Sequence, residues 1–243
     1  MLRLIRNCSH NNEVSTFYLE DGTGKWIIKS SSSTGGIEQI KQEIKGWDWY
    51  SSRVYLNGRE SFCQVMGDKQ DYIKIRVKYI DGHKAKYSGG ILRNSDMVSN
   101  AIKHYFSVWG KGDSGFAPLH GDLSIDNLVS NKERVRIIDW EHFNLKGAPV
   151  GFDAYNLLFE QLWFSLRGRK NIKRRELIIF LDNIRLIRKS GGSVYFHEQP
   201  LFSLQKFIKE NQHYWKKQAQ RLPVLLYSEE QVSFIDGIIR LHM

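Results

Sequence analysis

The chain has 243 residues, 41% of them hydrophobic, and a formal net charge of +10. That length and apolar share support one large domain or two small lobes and exclude global disorder. The two cysteines, Cys8 and Cys63, form no CxxC pair, so neither a zinc site nor a disulfide framework is expected. The positive charge favours acidic partners such as nucleotides, anionic substrates or a membrane surface.

The first residues, MLRLIRNCSHNNE, contain no long apolar stretch, so no signal peptide is read there. Three strands are expected in residues 1–30. Leu2, Leu4 and Ile5 begin the first, Val14–Leu19 is the second, and Trp26–Ile28 ends at Lys29. Asn7–Asn12 is a polar loop without glycine, and Asp21-Gly22-Thr23-Gly24 is a hairpin turn. The run Ser30–Gly36 reads as a flexible connector.

A helix follows, with Ile37, Ile40, Ile44 and Trp47 on one stripe. Glu43 lies about 80° from the centre of that stripe and Glu38 about 140° from it. Glu43 therefore stands at the edge of the buried face, and Glu38 faces water. Ser61–Met66 and Asp71–Ile80 read as two strands around a turn at Gly67-Asp68-Lys69-Gln70. The second runs into Tyr79-Ile80-Asp81-Gly82, where a boundary near residue 81 divides the chain into 1–81 and 82–243.

Ser95–Trp109 is a helix with Val98, Ile102, Tyr105 and Trp109 on one stripe. Residues 119–141 then read LHGDLSIDNLVSNKERVRIIDWE. Leu128 and Val129 start a short strand, Ser130–Glu133 turns, and Val135, Ile137 and Ile138 form the returning strand that ends at Asp139. Gly147, Pro149 and Gly151 mark an irregular segment. Asp153 starts a nearly all-apolar helix and reads as its N-cap. The apolar-rich run Tyr155–Leu166 is too short to span a bilayer and contains Glu160. Three more helices are expected: Glu176–Lys189, Leu204–Lys217, and a last one opened by a Ser228/Gln231 capping box. Basic residues crowd the stretch Arg167–Arg175. No internal repeat or heptad run is present.

The spacing of His120, Asp122, Asn127 and Asp139 resembles a kinase catalytic loop, H-R-D-L-x-x-x-N, followed by a strand that delivers a metal-binding Asp. With HGD for HRD and IDWE for DFG, the chain resembles the aminoglycoside phosphotransferase and choline kinase branch of the kinase-like phosphotransferases. The resemblance implies an α+β, two-lobed, protein-kinase-like fold. A small antiparallel β lobe with one helix would bind the nucleotide, and a larger, mostly helical lobe would hold the acceptor. It implies ATP and Mg2+ as the donor and its metal. Asp122 would be the base that takes the proton of an acceptor hydroxyl. Asn127 and Asp139 would offer oxygens to magnesium, a hard cation. Lys29 would contact phosphates, Glu43 would position Lys29, and backbone groups of Tyr79 and Ile80 would meet the adenine edge. Asp153 would brace the catalytic loop, and Glu141 would touch a second metal or face solvent. His120 is read as packing and hydrogen-bonding the loop.

The expected function is transfer of the ATP γ-phosphate to a hydroxyl of a small molecule. The basic stretch Arg167–Arg175 would repel a polycationic aminoglycoside if it lined the pocket, which favours a neutral or anionic sugar, as in a cell-envelope glycan. Choline is the second choice, in an aromatic cage drawn from Trp163, Tyr195 and Trp215. Specific nucleic-acid binding is not expected. The location expected is cytoplasmic, with Arg167–Arg175 touching an acidic glycan or the inner face of the membrane. A nucleotide-binding pseudokinase is the alternative of another class. The missing DFG triplet, HRD arginine and APE-like segment speak against a protein kinase.

Overall fold

The structure is a computed structural model and describes residues 1–6, 13–54, 61–85, 87–110, 116–131, 134–169, 171–191, 203–214 and 226–242. The expected reading of Asn7–Asn12 lies outside these residues, as do Tyr195 and Trp215 of the proposed cage. By its internal contacts the chain forms two compact units. One is Met1–Asp81 with Asp139–Asn144, and the other is Gly82–Ile138 with Leu145–Met243.

The first unit is a five-stranded antiparallel sheet of β1 (Leu2–Arg6), β2 (Ser15–Asp21), β3 (Gly24–Ser31), β4 (Cys63–Lys69) and β5 (Tyr72–Lys78), in the order β1-β2-β3-β5-β4. Alternation sets its faces: Ile73, Ile75 and Val77 of β5 are buried on the side where β3 carries Lys29 and Ser31. Helix α1 (Thr34–Val54) packs on the sheet through Ile40, Glu43, Trp47 and Tyr50.

Two local expectations change. The serine run is not a free connector: β3 continues to Ser31, and the Ser33 hydroxyl accepts the Gly36 N–H at 3.0 Å, capping α1. The turn between β4 and β5 falls at Gln70-Asp71, three residues later than its glycine suggested. A bulge between Val65 and Gly67 absorbs the extra residue and lets pairing run on to Lys69↔Tyr72.

Residues 139–144 join this unit through their aromatic rings. Trp140 is fully buried, 4.9 Å from the Tyr50 ring and 6.2 Å from that of Trp47, and Phe143 lies 5.7 Å from Trp49. Gly46 makes the room: a Cβ there would stand 2.6 Å from the Trp140 Cβ.

The second unit centres on a buried helix, Phe152–Leu166. It begins with a 3-10 turn at Tyr87–Gly89 and two helices, α2 (Gly90–Arg93) and α3 (Ser95–Trp109). A strand β6 (Phe116–Leu119) follows. Another 3-10 turn, Ile125–Asn127, leads into the hairpin β7 (Leu128–Asn131) and β8 (Arg134–Ile137), paired Leu128↔Ile137. The segment read as irregular is a strand, β9 (Asn144–Pro149), paired with β6. Its Gly147, at φ 75°, lets the strands approach, since a Cβ there would lie 2.1 Å from the Ala117 carbonyl oxygen.

Helix α4 (Phe152–Leu166) is buried along all but one of its residues, Trp163, and is flanked by α2, α3 and α5 (Arg174–Lys189). On it Phe159 lies 5.9 Å from Phe180 and 5.1 Å from Phe207 of α6 (Leu204–Tyr214). Each such fully buried side chain contributes on the order of 1.5–3 kcal/mol. The last helix, α7 (Glu229–His242), opens with the reciprocal Ser228/Gln231 capping box at 3.0 and 3.2 Å. Among the described residues no helix is long and apolar enough to cross a membrane.

Candidate active site

Lys29 stands two residues before the end of the central strand of the first unit, with its side chain under the sheet. Its Nζ donates to Glu43 Oε2 at 2.7 Å and to Asp139 Oδ1 at 2.6 Å. Lys29 and Glu43 are 6% and 2% exposed. The second Glu43 oxygen accepts the Trp47 indole N–H at 3.2 Å, so the carboxylate is fixed at both ends. Glu38, on the outer face, accepts from Gln42 instead. Burial opposes the Lys29 charge, but Asp139, Glu43 and Glu141 together carry its pKa above the usual lysine value. Burial raises the Glu43 carboxyl despite the ammonium beside it, and the like charge of Asp139 adds to the rise. Glu141 is itself buried, with its carboxylate 3.4 Å from His142.

Asp139 is the one non-glycine residue with positive φ among those described, at 65°. Asp tolerates this left-handed conformation better than most residues. The twist sends its carboxylate to Lys29 while the next residue, Trp140, enters the aromatic cluster on α1. Tyr79 and Ile80 follow β5. The Tyr79 N–H is taken by the Lys25 carbonyl at 2.9 Å, which extends the ladder, and its ring lies edge-on to Tyr18. A base edge would thus meet other backbone groups there, Ile80 among them, and not the Tyr79 amide.

In the second unit the loop from Leu119 to Asn127 is gripped from inside by α4. Asp153 is not the N-cap of that helix, which is Gly151. Its carboxylate accepts the N–H groups of His120 at 2.8 Å and Gly121 at 3.2 Å. Burial pushes the Asp153 carboxyl up to about 7, against the pull of those two amides. One turn on, Asn156 donates to the Leu123 carbonyl at 3.5 Å, and a further turn on Glu160 accepts the Ile125 N–H at 3.2 Å. The spacing i, i+3, i+7 puts the three on one face of α4. Asn156 and Glu160 were not singled out in the sequence. The signal was a buried-looking helix that nonetheless carries a charge.

His120 is fully buried. It accepts the Asp122 N–H at Nδ1, 3.2 Å, which leaves Nε2 to donate to the Ile138 carbonyl at 3.1 Å. It ties the loop to the end of β8. The Asn127 amide spends its nitrogen on Asp122, at 2.8 Å to the carbonyl and 3.1 Å to Oδ2. Its oxygen is the atom that the resemblance would offer to a cation. Asp122 itself is half-buried.

The donors fit the ion and nucleotide that the motif implies. Two carboxylates, Glu43 and Asp139, meet the Lys29 ammonium and Glu141 adds to the field there, an excess of negative charge suited to a divalent cation. Among the described residues no three His, Cys, Asp or Glu side chains gather closely enough to hold a metal by themselves. The buried Thr16 hydroxyl, across the strand pair from Lys29, has no hydrogen-bond partner among the described residues.

No family model matches the chain, and no curated protein matches it. Among solved structures the chain is similar to amicoumacin kinase hAmiN in complex with AMP-PNP, Ca2+ and Ami, with a TM-score of 0.53 at 11% identity, over 98% of this chain and 86% of that one. The two share the kinase-like fold. The expected α+β class, an antiparallel sheet unit with one helix and a mostly helical unit, is the observed one. Lower likenesses are to the streptomycin-ATP complex of APH(2")-IIa, with a TM-score of 0.44, 11% identity and coverage of 78% and 86%. Aminoglycoside phosphotransferase APH(4)-Ia follows at 0.43, with 10% identity and coverage of 99% and 92%.

Proposed function

We propose that the chain is a magnesium- and ATP-dependent phosphotransferase acting on a hydroxyl group of a small molecule. The observation that carries this reading is the Glu43–Lys29–Asp139 ion-pair chain, which joins residues 14 and 110 apart in sequence on a strand, a helix and a left-handed turn. Lys29 neutralises phosphate charge, and Glu43 holds it in place. Asn127 and Asp139 would each offer an oxygen to magnesium, which when bound would supply charge neutralisation at the phosphates. Asp122 accepts the proton of the acceptor hydroxyl as its oxygen bonds to the γ-phosphorus and the bond to ADP breaks. Asp153, Asn156 and Glu160 position the loop that carries Asp122.

The acceptor we favour is a small molecule of the amicoumacin or aminoglycoside kind, in line with the complex of the amicoumacin kinase with Ami. The charge argument for a neutral or anionic sugar weakens, because Arg174, Arg175, Arg185 and Lys189 lie on the exposed face of α5 and do not line an interior. A choline cage has less support, since the Arg167 guanidinium covers the Trp163 ring at 5.5 Å. The exposed basic face of α5 suits contact with an acidic membrane or glycan surface. The test is ATP-dependent, Mg2+-dependent transfer to a panel of amicoumacin, kanamycin, choline, and neutral and acidic sugars. Phosphate appearing on one class of acceptor supports the reading. ATP binding with no transfer to any would support a pseudokinase instead.

A further inference from the structure

Thr16 of β2 stands directly opposite Lys29 of β3. Residues so paired share a sheet face, with Cβ atoms about 4.5–5.5 Å apart. Thr16 is 7% exposed, and its Oγ1 is buried without a hydrogen-bond partner among the described residues. An unpaired buried hydroxyl is costly, and valine would fill the same shape on a strand without that cost. A hydroxyl kept there needs a partner that the described residues of the ligand-free protein do not supply.

The neighbours on that face say what the partner is. One step along the sheet, Tyr18 pairs with Ile27, and Ile27 pairs with Val77. The face thus runs from a polar end, Thr16 and Lys29, to an apolar end, Tyr18, Ile27 and Val77. A nucleoside triphosphate has the same polarity, with an anionic chain at one end and a flat apolar base at the other. Lys29 is 6% exposed, so the ligand-free protein covers amine and hydroxyl alike. A phosphate that reaches one reaches the other.

We propose that the Thr16 hydroxyl is a further nucleotide ligand, donating to a polyphosphate oxygen beside Lys29. The proposal rests on the kinase reading and names one more residue of its donor site. It is tested by calorimetry of Mg·ATP and adenosine on wild type, Thr16→Val and Thr16→Ser, with melting curves of the ligand-free proteins. Thr16→Val should weaken Mg·ATP about tenfold or more, as loss of a hydrogen bond to a charged group does, and change adenosine by less than about twofold. Thr16→Ser, which keeps the hydroxyl, should retain most of the affinity. Ligand-free Thr16→Val should melt at or above the wild-type temperature, because it removes an unpaired polar group. Mg·ATP affinity within about twofold of wild type in Thr16→Val would overturn the proposal. So would equal weakening of adenosine, or a ligand-free variant that melts several degrees lower or does not fold, since the hydroxyl would then have a partner already. A wild-type protein that binds no nucleotide would instead overturn the kinase reading itself.

Discussion

Lys29 sits between two carboxylates, 2.7 Å from Glu43 and 2.6 Å from Asp139. Removing the ammonium leaves two acids facing each other under the sheet, while removing one acid leaves the lysine a partner. Lys29→Ala should therefore cost about 3–5 kcal/mol, the range for breaking a buried pair, and Glu43→Gln clearly less. Urea unfolding of both variants checks this, and equal losses would show that Asp139 does not share the charge. In ATP kinetics, Lys29→Ala should also raise the KM more than Glu43→Gln does. The choice of Glu43 over Glu38 was legible because a helix with four apolar residues on one stripe fixes the angle of every other side chain. The bond to Asp139 was not, because 110 residues and a left-handed turn separate the partners.

Helix α4 shows how an element encodes more than its hydrophobic pattern. Its apolar residues predicted a buried helix, and three of its polar residues, Asp153, Asn156 and Glu160, are what it uses to hold the loop. Asp153 gives the element a pH signature. Its carboxyl is raised by burial from an ordinary 3.8 to about 7. In that window the folded chain binds more protons than the unfolded one, so this group's contribution to stability is full below about pH 4 and is lost as pH rises towards 7. His104 acts oppositely: burial, with Arg136 nearby, lowers it to about 4, so its contribution is lost as pH falls below the ordinary 6.5. Asp153→Asn should remove the first slope and leave the second. Melting temperatures of the variant should thus rise more steeply than wild type from pH 4 to 7. Parallel curves would mean that Asp153 is not the titrating group.

Helix α1 offers a sharper test of packing. Alanine for a mid-helix glycine normally stabilises by about 1 kcal/mol. At Gly46 the added methyl would stand 2.6 Å from the Trp140 Cβ and 3.0 Å from that of Phe143. Gly46→Ala should reverse the sign and cost about 1–3 kcal/mol, the usual range for overpacking. A stabilised variant in chemical denaturation would show that Trp140 is not seated on α1. Strand β9 marks the limit of reading such elements from sequence. Gly147 and Pro149 are poor strand formers, yet Gly147 is what lets β9 lie against β6.

At the scale of the whole molecule, the chain passes between its two units at Asp81/Gly82, Ile138/Asp139 and Asn144/Leu145. The first crossing follows from the glycine after β5. The other two follow from Trp140 and Phe143, whose burial on α1 no local pattern announces. The β7–β8 hairpin was legible because two short apolar runs flank one polar turn. The acceptor was not, because surface charge on α5 says nothing of an interior. As proposed above, Asp122 is the base of a phosphoryl transfer, with Lys29, Asn127 and Asp139 serving the nucleotide and its metal. The most direct test is Asp122→Asn, scored both for Mg·AMP-PNP affinity by calorimetry and for phosphate transfer to the best acceptor of the panel. Nucleotide affinity should stay near wild type while transfer falls roughly 10²–10⁴-fold. Transfer at a near-normal rate would contradict this role of Asp122.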